Sequence, residues 1–291
     1  MSLISLPASY FVRRITSLLS GMHTLLALSA IGGMLWHLIP GEFMTILLPT
    51  LSVTVWAITS LVRLARIYRN GGTAVYISRS RQGLRAFGFV VRVPRNVSFD
   101  PGTYLYLYFG RQWRYRLQSL PMMLAWYEHR EEDGRNVTDL TFFVQPRGGL
   151  TRRLERELQL SHLSRRGLPV WIEGPYGQDL HLERYETVML AAQGIGIAGV
   201  LPYARHLLQR RFRDGKIKEL LKLAATPRKY DLQNSLHRDA TRIVDLFWEL
   251  EENGQDELLS DHLRTLQETD PKRVSLAVSP ATKLTINRAP T

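Results

Sequence analysis

Residues Val170 to Leu208 read VWIEGPYGQDLHLERYETVMLAAQGIGIAGVLPYARHLL, and this stretch decides the interpretation of the whole chain. Within it, the apolar run Val188–Ala192 has the length of a buried strand. Gln193 and the glycines at positions 194 and 196 interrupt the run, and apolar residues with helical spacing resume at Ile197. The stretch therefore predicts a strand, a glycine loop and a helix, in that order.

Glycines in such a loop let an anion approach the backbone N–H groups, and the helix that follows adds the partial positive charge of its N-terminus. Gly194, Gly196 and Gly199 have the GxGxxG spacing of a dinucleotide fingerprint. That fingerprint also expects an acidic residue about 20 positions further on, whereas residues 209–218 are mostly basic. An ordinary Rossmann loop and a plain tight turn are the two simpler alternatives.

An EGPYG turn at Glu173–Gly177 lies about twenty residues before the glycine loop. Together the two motifs resemble the flavin and nicotinamide domains of the ferric reductase and NADPH oxidase family. In that family an EGPYG-like turn ends a flavin-binding barrel, and a GxGIxxxxP loop meets the NADPH pyrophosphate. The resemblance implies that Gly194, Gly196, Ile197 and Pro202 bind the nucleotide.

The composition is that of a folded protein with an excess of basic residues. At 291 residues the chain is long enough for two domains, and its formal net charge is +12. Nucleic acid is not an expected partner, because no recognition helix or platform of basic and aromatic residues is evident. The sequence has no cysteine, which excludes disulfides, thiolate metal sites and thiol catalysis.

Two long uncharged runs predict a membrane hairpin within residues 1–69, with helices at about 16–39 and 43–62. Each run is long enough to cross the lipid bilayer, whose hydrocarbon is about 30 Å thick. Arginines flank both outer ends, so the positive-inside rule places these ends and the reductase domains in the cytoplasm. We therefore expect an integral membrane protein of the plasma membrane; a secretory signal peptide and a simple anchor are the alternatives.

His23 and His37 lie within the first run, fourteen residues apart. At about 100° per residue they return to within roughly 40° of one helix face, about 21 Å apart along the axis. The family carries such pairs as axial ligands of two stacked haems, so the resemblance implies that both histidines bind haem iron. The helix that supplies the second imidazole of each haem is missing from the sequence. We therefore expect a truncated chain, while pooled hairpins from two chains or no haem at all stay open.

Between residues 82 and 178, short runs rich in aromatic and β-branched residues replace the long apolar ones. Turn signals at Pro101–Gly102 and Asp133–Gly134 separate them, which favours an antiparallel β-barrel. The predicted strands, whose apolar side chains are expected in the core, are Phe87–Val93, Tyr104–Phe109 and Thr138–Val144. The resemblance makes this barrel an FAD-binding domain.

Residues 118–126 stand where the family carries its flavin motif. Pro121 matches the proline of that motif, while Leu120 and Met122 replace a histidine and a phenylalanine. The resemblance implies that Pro121, Met122 and Met123 lie beside the flavin; a plain strand is the alternative.

A second glycine element, Gly148 and Gly149, precedes a predicted helix. Glycines let a pyrophosphate approach the backbone N–H groups, and Thr151 is placed to cap the helix. The resemblance implies that Gly149, Thr151 and Arg152 bind the FAD diphosphate, with helix capping alone as the alternative.

An incomplete parallel α/β nicotinamide-binding domain is expected at residues 184–291. Further strands are predicted at Thr241–Trp248 and Val274–Val278, with helical periodicity at Glu257–Leu266. Trp248 resembles a family residue near the nucleotide, and a core tryptophan is the alternative. The Cys-Gly-Pro turn of the family has only Ser279–Pro280 as a counterpart here.

The resemblance as a whole implies a membrane flavocytochrome that passes electrons from NADPH through FAD and haem to a ferric chelate or oxygen. Flavin matches a two-electron donor to one-electron acceptors, and no side chain is needed as catalytic acid, base or nucleophile. Two rival functions remain. One is a haem-free, membrane-tethered flavin dehydrogenase, and the other is a non-catalytic truncated remnant that partners an intact homologue.

Overall fold

The computed structural model describes residues 43–77, 86–109, 119–132, 134–146, 148–163, 167–223, 233–252, 255–269 and 274–279, with scattered positions between 22 and 36. The chain divides into two compact units, residues 1–69 with 148–150 and residues 70–147 with 151–291. The predicted haem ligands His23 and His37 lie outside the described residues.

In the first unit, helix α1 (Phe43–Arg69) contains the second predicted membrane span. Within the described part of the chain, Pro49–Arg69 is the one helical stretch long and apolar enough to cross a membrane, judged by length and composition. Its hydroxyl groups bond back to the helix: Thr50 donates to the carbonyl oxygen of Leu47 at 2.9 Å, and Thr54 to that of Thr50 at 2.7 Å. Such bonds satisfy polar side chains in an apolar helix.

The second unit begins with seven strands, β1 (Gly71–Ile77), β2 (Phe87–Val93), β3 (Tyr104–Phe109), β4 (Ser119–Met123), β5 (Trp126–Glu132), β6 (Arg135–Val144) and β7 (Leu168–Tyr176). They form one antiparallel sheet in the order β4-β3-β7-β1-β2-β6-β5. Only Leu124 and Ala125 separate the edge strands β4 and β5 in the chain. Their N–H groups donate to the carbonyl oxygens of Thr103 and Thr141, at 3.0 and 3.1 Å. This short connection brings the two edges together, so the sheet curls as the predicted barrel requires.

The barrel encloses an apolar core, because buried and exposed side chains alternate along its strands. On β3, Leu105, Leu107 and Phe109 are buried while the tyrosines between them are half-exposed. Helix α2 (Gly149–Leu163) adds Leu154 and Leu158 to the same core. The predicted strands at 87–93 and 104–109 are confirmed residue for residue.

The barrel starts before the predicted boundary at residue 82, because β1 pairs with both β2 and β7. Gly71 and Gly72 lie between the predicted hairpin and the predicted barrel, in a stretch that the sequence left unassigned. In the structure, a Cβ added to Gly72 would lie 2.7 Å from the carbonyl oxygen of Arg92, so the glycine permits a close approach of two strands.

The nicotinamide segment contains three parallel strands, β8 (Thr187–Gln193), β9 (Ile243–Glu249) and β10 (Val274–Ser279), in the order β10-β9-β8. Helix α3 (Ile197–Leu223) connects β8 to β9, and helix α4 (Gln255–Thr269) connects β9 to β10. Parallel strands require such crossovers. The predicted strand, glycine loop and helix, and the parallel α/β class, are confirmed.

One hydrophobic cluster joins the barrel to the nicotinamide segment. Trp126 and Phe143 of the barrel share it with Leu258 and Leu263 of α4. The His262 ring stands edge-on to Trp126, with ring centroids 5.0 Å apart. The two sheets therefore pack as parts of one core.

Candidate functional site

The glycine loop lies at the carboxyl end of β8, the edge at which open parallel sheets bind ligands. Gly194–Gly196 form one 3₁₀ turn, and α3 begins directly at Ile197. Gly196 is exposed, and a Cβ added to it would meet no atom within 4 Å. The side of the loop at Gly196 is therefore open to a phosphate at the start of α3. The N–H of Ile197 is already engaged by the carbonyl oxygens of Gly194 and Ile195.

Trp248 holds the glycine loop from inside the core. Its side chain is 1% exposed, and its indole Nε1 donates to the carbonyl oxygen of Gly194 at 2.8 Å. An enclosed ring cannot contact a nucleotide on the outer side of the loop. Trp248 therefore positions the loop. Its surroundings are those of a core tryptophan, the alternative that the sequence left open.

An acidic side chain that the sequence pattern did not indicate also lies at the loop. Glu251 follows the end of β9, and a Cβ added to Gly194 would lie 2.5 Å from its Cδ and 2.7 Å from its Oε2. Dinucleotide folds also carry an acid at the end of the second strand, where it binds the ribose. Glu251 lies instead against the phosphate-binding loop itself, where its charge opposes a bound phosphate. The fingerprint expects its acidic residue about 20 positions after the glycine loop. Glu251 lies much further along the chain, because α3 alone has 27 residues and a further connection precedes β9.

The outer face of the barrel carries a rigid aromatic surface on β3 and β7. The Tyr106 ring stands edge-on to Tyr104 and Tyr176, with centroids 5.8 and 5.5 Å apart, and the latter two rings stack at 5.7 Å. The buried carboxylate of Glu173 accepts hydrogen bonds from the hydroxyls of Tyr176 at 2.7 Å and Tyr108 at 2.5 Å. Such a surface suits a planar ring system.

The predicted flavin residues divide between the two faces of β4. Pro121 and Met123 are exposed and pair with Tyr106 and Tyr104 of β3, so they join the tyrosine surface. Met122 is 8% exposed and lies in the barrel core. Because successive side chains of a strand point to opposite faces, Met122 does not share that surface, and its expected place beside the flavin is corrected.

The tyrosine surface and the glycine loop are neighbours. A Cβ added to Gly199, in the first turn of α3, would lie 3.9 Å from Cε of Met123. Further along α3, the hydroxyl of Tyr203 donates to the carbonyl oxygen of Gln178, just after the EGPYG turn, at 3.2 Å. A hydride passes between two bound rings only when their sites adjoin in this way.

An open cleft between α3 and the barrel edge is lined on the helix side by Pro202, Arg205, His206 and Gln209. Pro202 thus lies at the barrel side of α3. The Arg205 guanidinium stacks over the Trp126 ring, 4.1 Å from its centroid, and donates to the carbonyl oxygen of Tyr127. Burial lowers the pKa of Arg205 from its ordinary value.

The start of α2 is open on its outer side. Gly148 and Gly149 have positive φ values of 142° and 54°, and a Cβ added to either would meet no atom within 4 Å. Because α2 begins at Gly149, Thr151 lies within its first turn instead of capping it. Arg152 is exposed on the same turn. These N–H groups and the arginine fit an anionic diphosphate.

Comparison with known proteins identifies relatives in yeast. The chain is 31% identical over 133 residues to ferric reductase transmembrane component 5 of Saccharomyces cerevisiae, and 30% identical over 105 residues to component 6. The matches cover 46% and 36% of this chain but 18% and 13% of the relatives, so the chain matches less than a fifth of their length. No family model matches the chain.

Several solved structures resemble the chain at low sequence identity. One is a ferredoxin reductase in carbazole 1,9a-dioxygenase, with a TM-score of 0.45 and 12% identity; the match covers 76% of this chain and 53% of that chain. Another is the ferredoxin-NADP+ reductase of Plasmodium falciparum, with a TM-score of 0.44 and 10% identity; the match covers 72% of this chain and 69% of that chain. The FAD/NAD-binding domain of nitric oxide dioxygenase from Vibrio cholerae is another (0.44, 13%, 76% and 84%). Because these TM-scores are low, the fold assignment depends on the strand order of this chain alone. The curated matches bear out the resemblance read from the EGPYG turn and the glycine loop: over 133 residues the chain is similar to a ferric reductase transmembrane component.

Proposed function

We propose that the chain is a membrane-anchored, flavin-dependent NADPH oxidoreductase that delivers electrons to a ferric chelate or a similar acceptor. The observation that carries the proposal is the adjacency of Met123, on the tyrosine surface, to Gly199 at the start of α3. A flavin on the first and a nicotinamide on the second would adjoin. Bound flavin supplies the conversion of one hydride into single electrons.

The flavin ring is proposed to lie on the surface formed by Tyr106, Tyr176, Pro121 and Met123. Strand pairing of β3 with β4 and β7 holds Tyr106, Pro121 and Tyr176 in place, and a hydrogen bond to Glu173 holds the Tyr176 hydroxyl. The surface therefore needs no rearrangement to accept a ring. The FAD diphosphate is assigned to the N–H groups at Gly149 and Thr151 and to the Arg152 side chain.

The nucleotide pyrophosphate is proposed to bind at Gly196 and Ile197, where the side of the loop at Gly196 is open. The N–H of Ile197 already donates to the carbonyl oxygens of Gly194 and Ile195, so Ile197 contributes through its place at the positive end of α3. Gly194 supports the loop conformation, with a φ of 51° that favours glycine. The Glu251 carboxylate adds a negative charge at this point, so affinity for the nucleotide reflects attraction by the helix N-terminus and repulsion by Glu251. The role of the chain is placement of two rings, with no proton transfer by a side chain.

Membrane attachment is proposed through α1, with the reductase domains on the cytoplasmic side of the plasma membrane. The apolar helix and the similarity to transmembrane components in yeast support membrane attachment. The arginines at the outer ends of the predicted spans support the cytoplasmic side. Haem ligation by His23 and His37 stays a separate proposal. An absorption spectrum of the purified protein tests it, because haem adds a Soret band that flavin lacks.

The test of the function uses the full chain in detergent, with FAD retention and NADPH-dependent reduction of ferric citrate as separate measurements. Gly196→Val fills the open side of the loop without contacting protein atoms. The variant should therefore retain FAD, while its NADPH-dependent turnover should fall at least tenfold because the nucleotide site is blocked. Gly215→Val is the matched control, since a Cβ there also meets no atom within 4 Å but lies on the outer part of α3. A folded wild-type protein that retains no flavin and gives no turnover would favour the non-catalytic remnant.

A further inference from the structure

Outside the proposed redox site, three metal-ligating side chains from separate parts of the second unit converge. Asp179 follows the EGPYG turn, Glu183 lies in a 3₁₀ turn at Leu182–Arg184, and His206 lies on α3. One ligand atom of each lies within 4.8 Å of the others. Two donors bound to one transition-metal ion are at most about 4.2 Å apart, so a small contraction of the side chains would bring all three into coordination.

One oxygen of the cluster lacks a partner in a way that an ion would explain. Glu183 Oε1 lies 3.2 Å from Nδ1 of His181, but Glu183 Oε2 is fully enclosed and has no hydrogen-bond partner among the described residues. A buried carboxylate oxygen without a hydrogen bond is costly. Asp179 and Glu183 are each 18% exposed in their side chains, so both carboxylates are largely withdrawn from water.

The backbone around the cluster is fixed before any ion binds. The carbonyl oxygen of Glu183 accepts a hydrogen bond from the N–H of Ala240 at 2.9 Å, and the carbonyl of Leu182 accepts one from the Thr241 hydroxyl at 3.3 Å. The N–H of His181 donates to Asp179 Oδ1 at 3.1 Å. Because the ligands are held in place, binding an ion costs little ordering.

The charges of the cluster favour a cation. The imidazole of His206 supplies a nitrogen donor beside the two carboxylates. Arg210 is the positive charge that acts on this imidazole. Arg210 itself is engaged by Asp239, with two hydrogen bonds of 2.7 and 2.6 Å. The two carboxylates thus present a double negative charge to an incoming ion.

We propose that Asp179, Glu183 and His206 form a binding site for a divalent first-row transition-metal ion that ties the segment after the barrel to helix α3. Imidazole and carboxylate donors together select this class over Mg²⁺ and Ca²⁺, which prefer oxygen donors alone. His181, at 3.2 Å from Glu183 and 3.7 Å from Asp179, is the nearest additional donor. The site is independent of the proposed reductase activity.

The experiment titrates the full, chelator-treated chain, purified with a tag that contains no histidine, with Zn²⁺ by calorimetry and with Co²⁺ by visible absorption. The absence of cysteine removes thiolate background. We expect one equivalent to bind, with Co²⁺ d–d bands of imidazole and carboxylate coordination and a higher melting temperature in Zn²⁺. Glu183→Gln and His206→Gln should each weaken binding at least tenfold.

Matched controls are Glu186→Gln, three residues after Glu183 with an exposed side chain paired to Arg242, and His162→Ala, an exposed histidine of α2. Circular dichroism of the metal-free variants verifies that each is folded. Wild-type protein that binds neither ion, controls that lose binding as much as the cluster variants, or tighter binding of Mg²⁺ or Ca²⁺ than of Zn²⁺ would each overturn the proposal. Flavin retention is measured on the same samples, so failure of the redox proposal is distinguishable.

Discussion

The indole Nε1 of Trp248 donates a hydrogen bond to the carbonyl oxygen of Gly194, 2.8 Å away, in the interior of the second unit. This bond links the second strand of the parallel sheet to the loop that follows the first. The loop conformation therefore depends on a residue more than fifty positions later in the chain.

Trp248→Phe should destabilise the protein and weaken nucleotide binding together. The substitution removes one of the two donors to the Gly194 carbonyl oxygen, the other being the N–H of Ile197. Loss of this hydrogen bond costs about 0.5–1.5 kcal/mol in the free energy of unfolding. Chemical denaturation and titration with NADP+ measure the two effects. Trp171→Phe, in barrel strand β7, is the control and should leave nucleotide affinity unchanged; equal loss of affinity in both variants would contradict the role of the bond.

Glu251→Gln should lower the KM for NADPH, by roughly three- to tenfold, because it removes a negative charge beside the phosphate-binding loop. The improvement should exceed that for NADH, since NADPH carries an extra phosphate. Steady-state kinetics with both nucleotides check this. Glu268→Gln, at the far end of α4 and 70% exposed, is the charge-matched control. An unchanged KM in Glu251→Gln would show that the carboxylate does not face the nucleotide.

Tyr106→Ala should reduce FAD retention, because the ring contributes the central contact of the tyrosine surface. Loss of one aromatic stacking contact corresponds to about 0.5–1.5 kcal/mol, or roughly a two- to tenfold weaker affinity. Flavin fluorescence after gel filtration measures the fraction retained. Tyr106→Phe keeps the ring and should restore binding, whereas equal loss in both variants would assign the effect to the hydroxyl.

Arg205→Ala should loosen the contact between α3 and the barrel. It removes a guanidinium stacked on Trp126, a contact of about 0.5–2 kcal/mol, and a hydrogen bond to the Tyr127 carbonyl. We expect faster hydrogen exchange in β5 and a lower melting temperature. Arg213→Ala, on an exposed part of the same helix, controls for loss of charge; matching behaviour of the two variants would argue against the contact.

The stability of the metal-free protein should fall below about pH 6.5, partly because of His206. Its folded pKa is lowered by burial and by Arg210, against the opposing charges of Asp179, Glu183 and Asp239. Above the unfolded pKa of about 6.5 the imidazole is neutral in both states and contributes no pH dependence. Below it the unfolded state binds the proton more readily, so the free energy of unfolding decreases.

His206→Gln should therefore show a smaller loss of stability between pH 7.5 and pH 5.5 than the wild-type chain, in urea denaturation with a chelator present. Other groups titrate in both proteins, so the difference between the two curves isolates His206. Parallel curves would contradict the lowered pKa.

Local patterns were sufficient for most elements but not for contacts between distant segments. The aromatic run YLYLYF and the apolar run at Val188–Ala192 predicted β3 and most of β8. In the structure burial alternates along β3. The same alternation places Tyr106 outside the barrel, yet its role emerges only when Tyr176 of β7 packs beside it. Glu251 reaches the glycine loop through the pairing of β8 with β9, which no spacing rule encodes.

Met122 shows how a motif aligned by position alone misplaces a side chain. It stands one residue after Pro121, where the family has a ring beside the flavin, but the pleat of β4 turns it inward. Pro121 and Met123 keep the outward positions. The strand register, fixed by pairing with β3, decides which residues are available to a ligand.

Because Trp126 and Phe143 pack into the same cluster as Leu258 and Leu263, the barrel and the parallel sheet should melt in a single calorimetric transition. Cutting the chain after Gln178 would expose apolar surface on both pieces, and neither piece should remain soluble by itself. Any evolutionary exchange of one half of this unit would have to carry along its complementary surface.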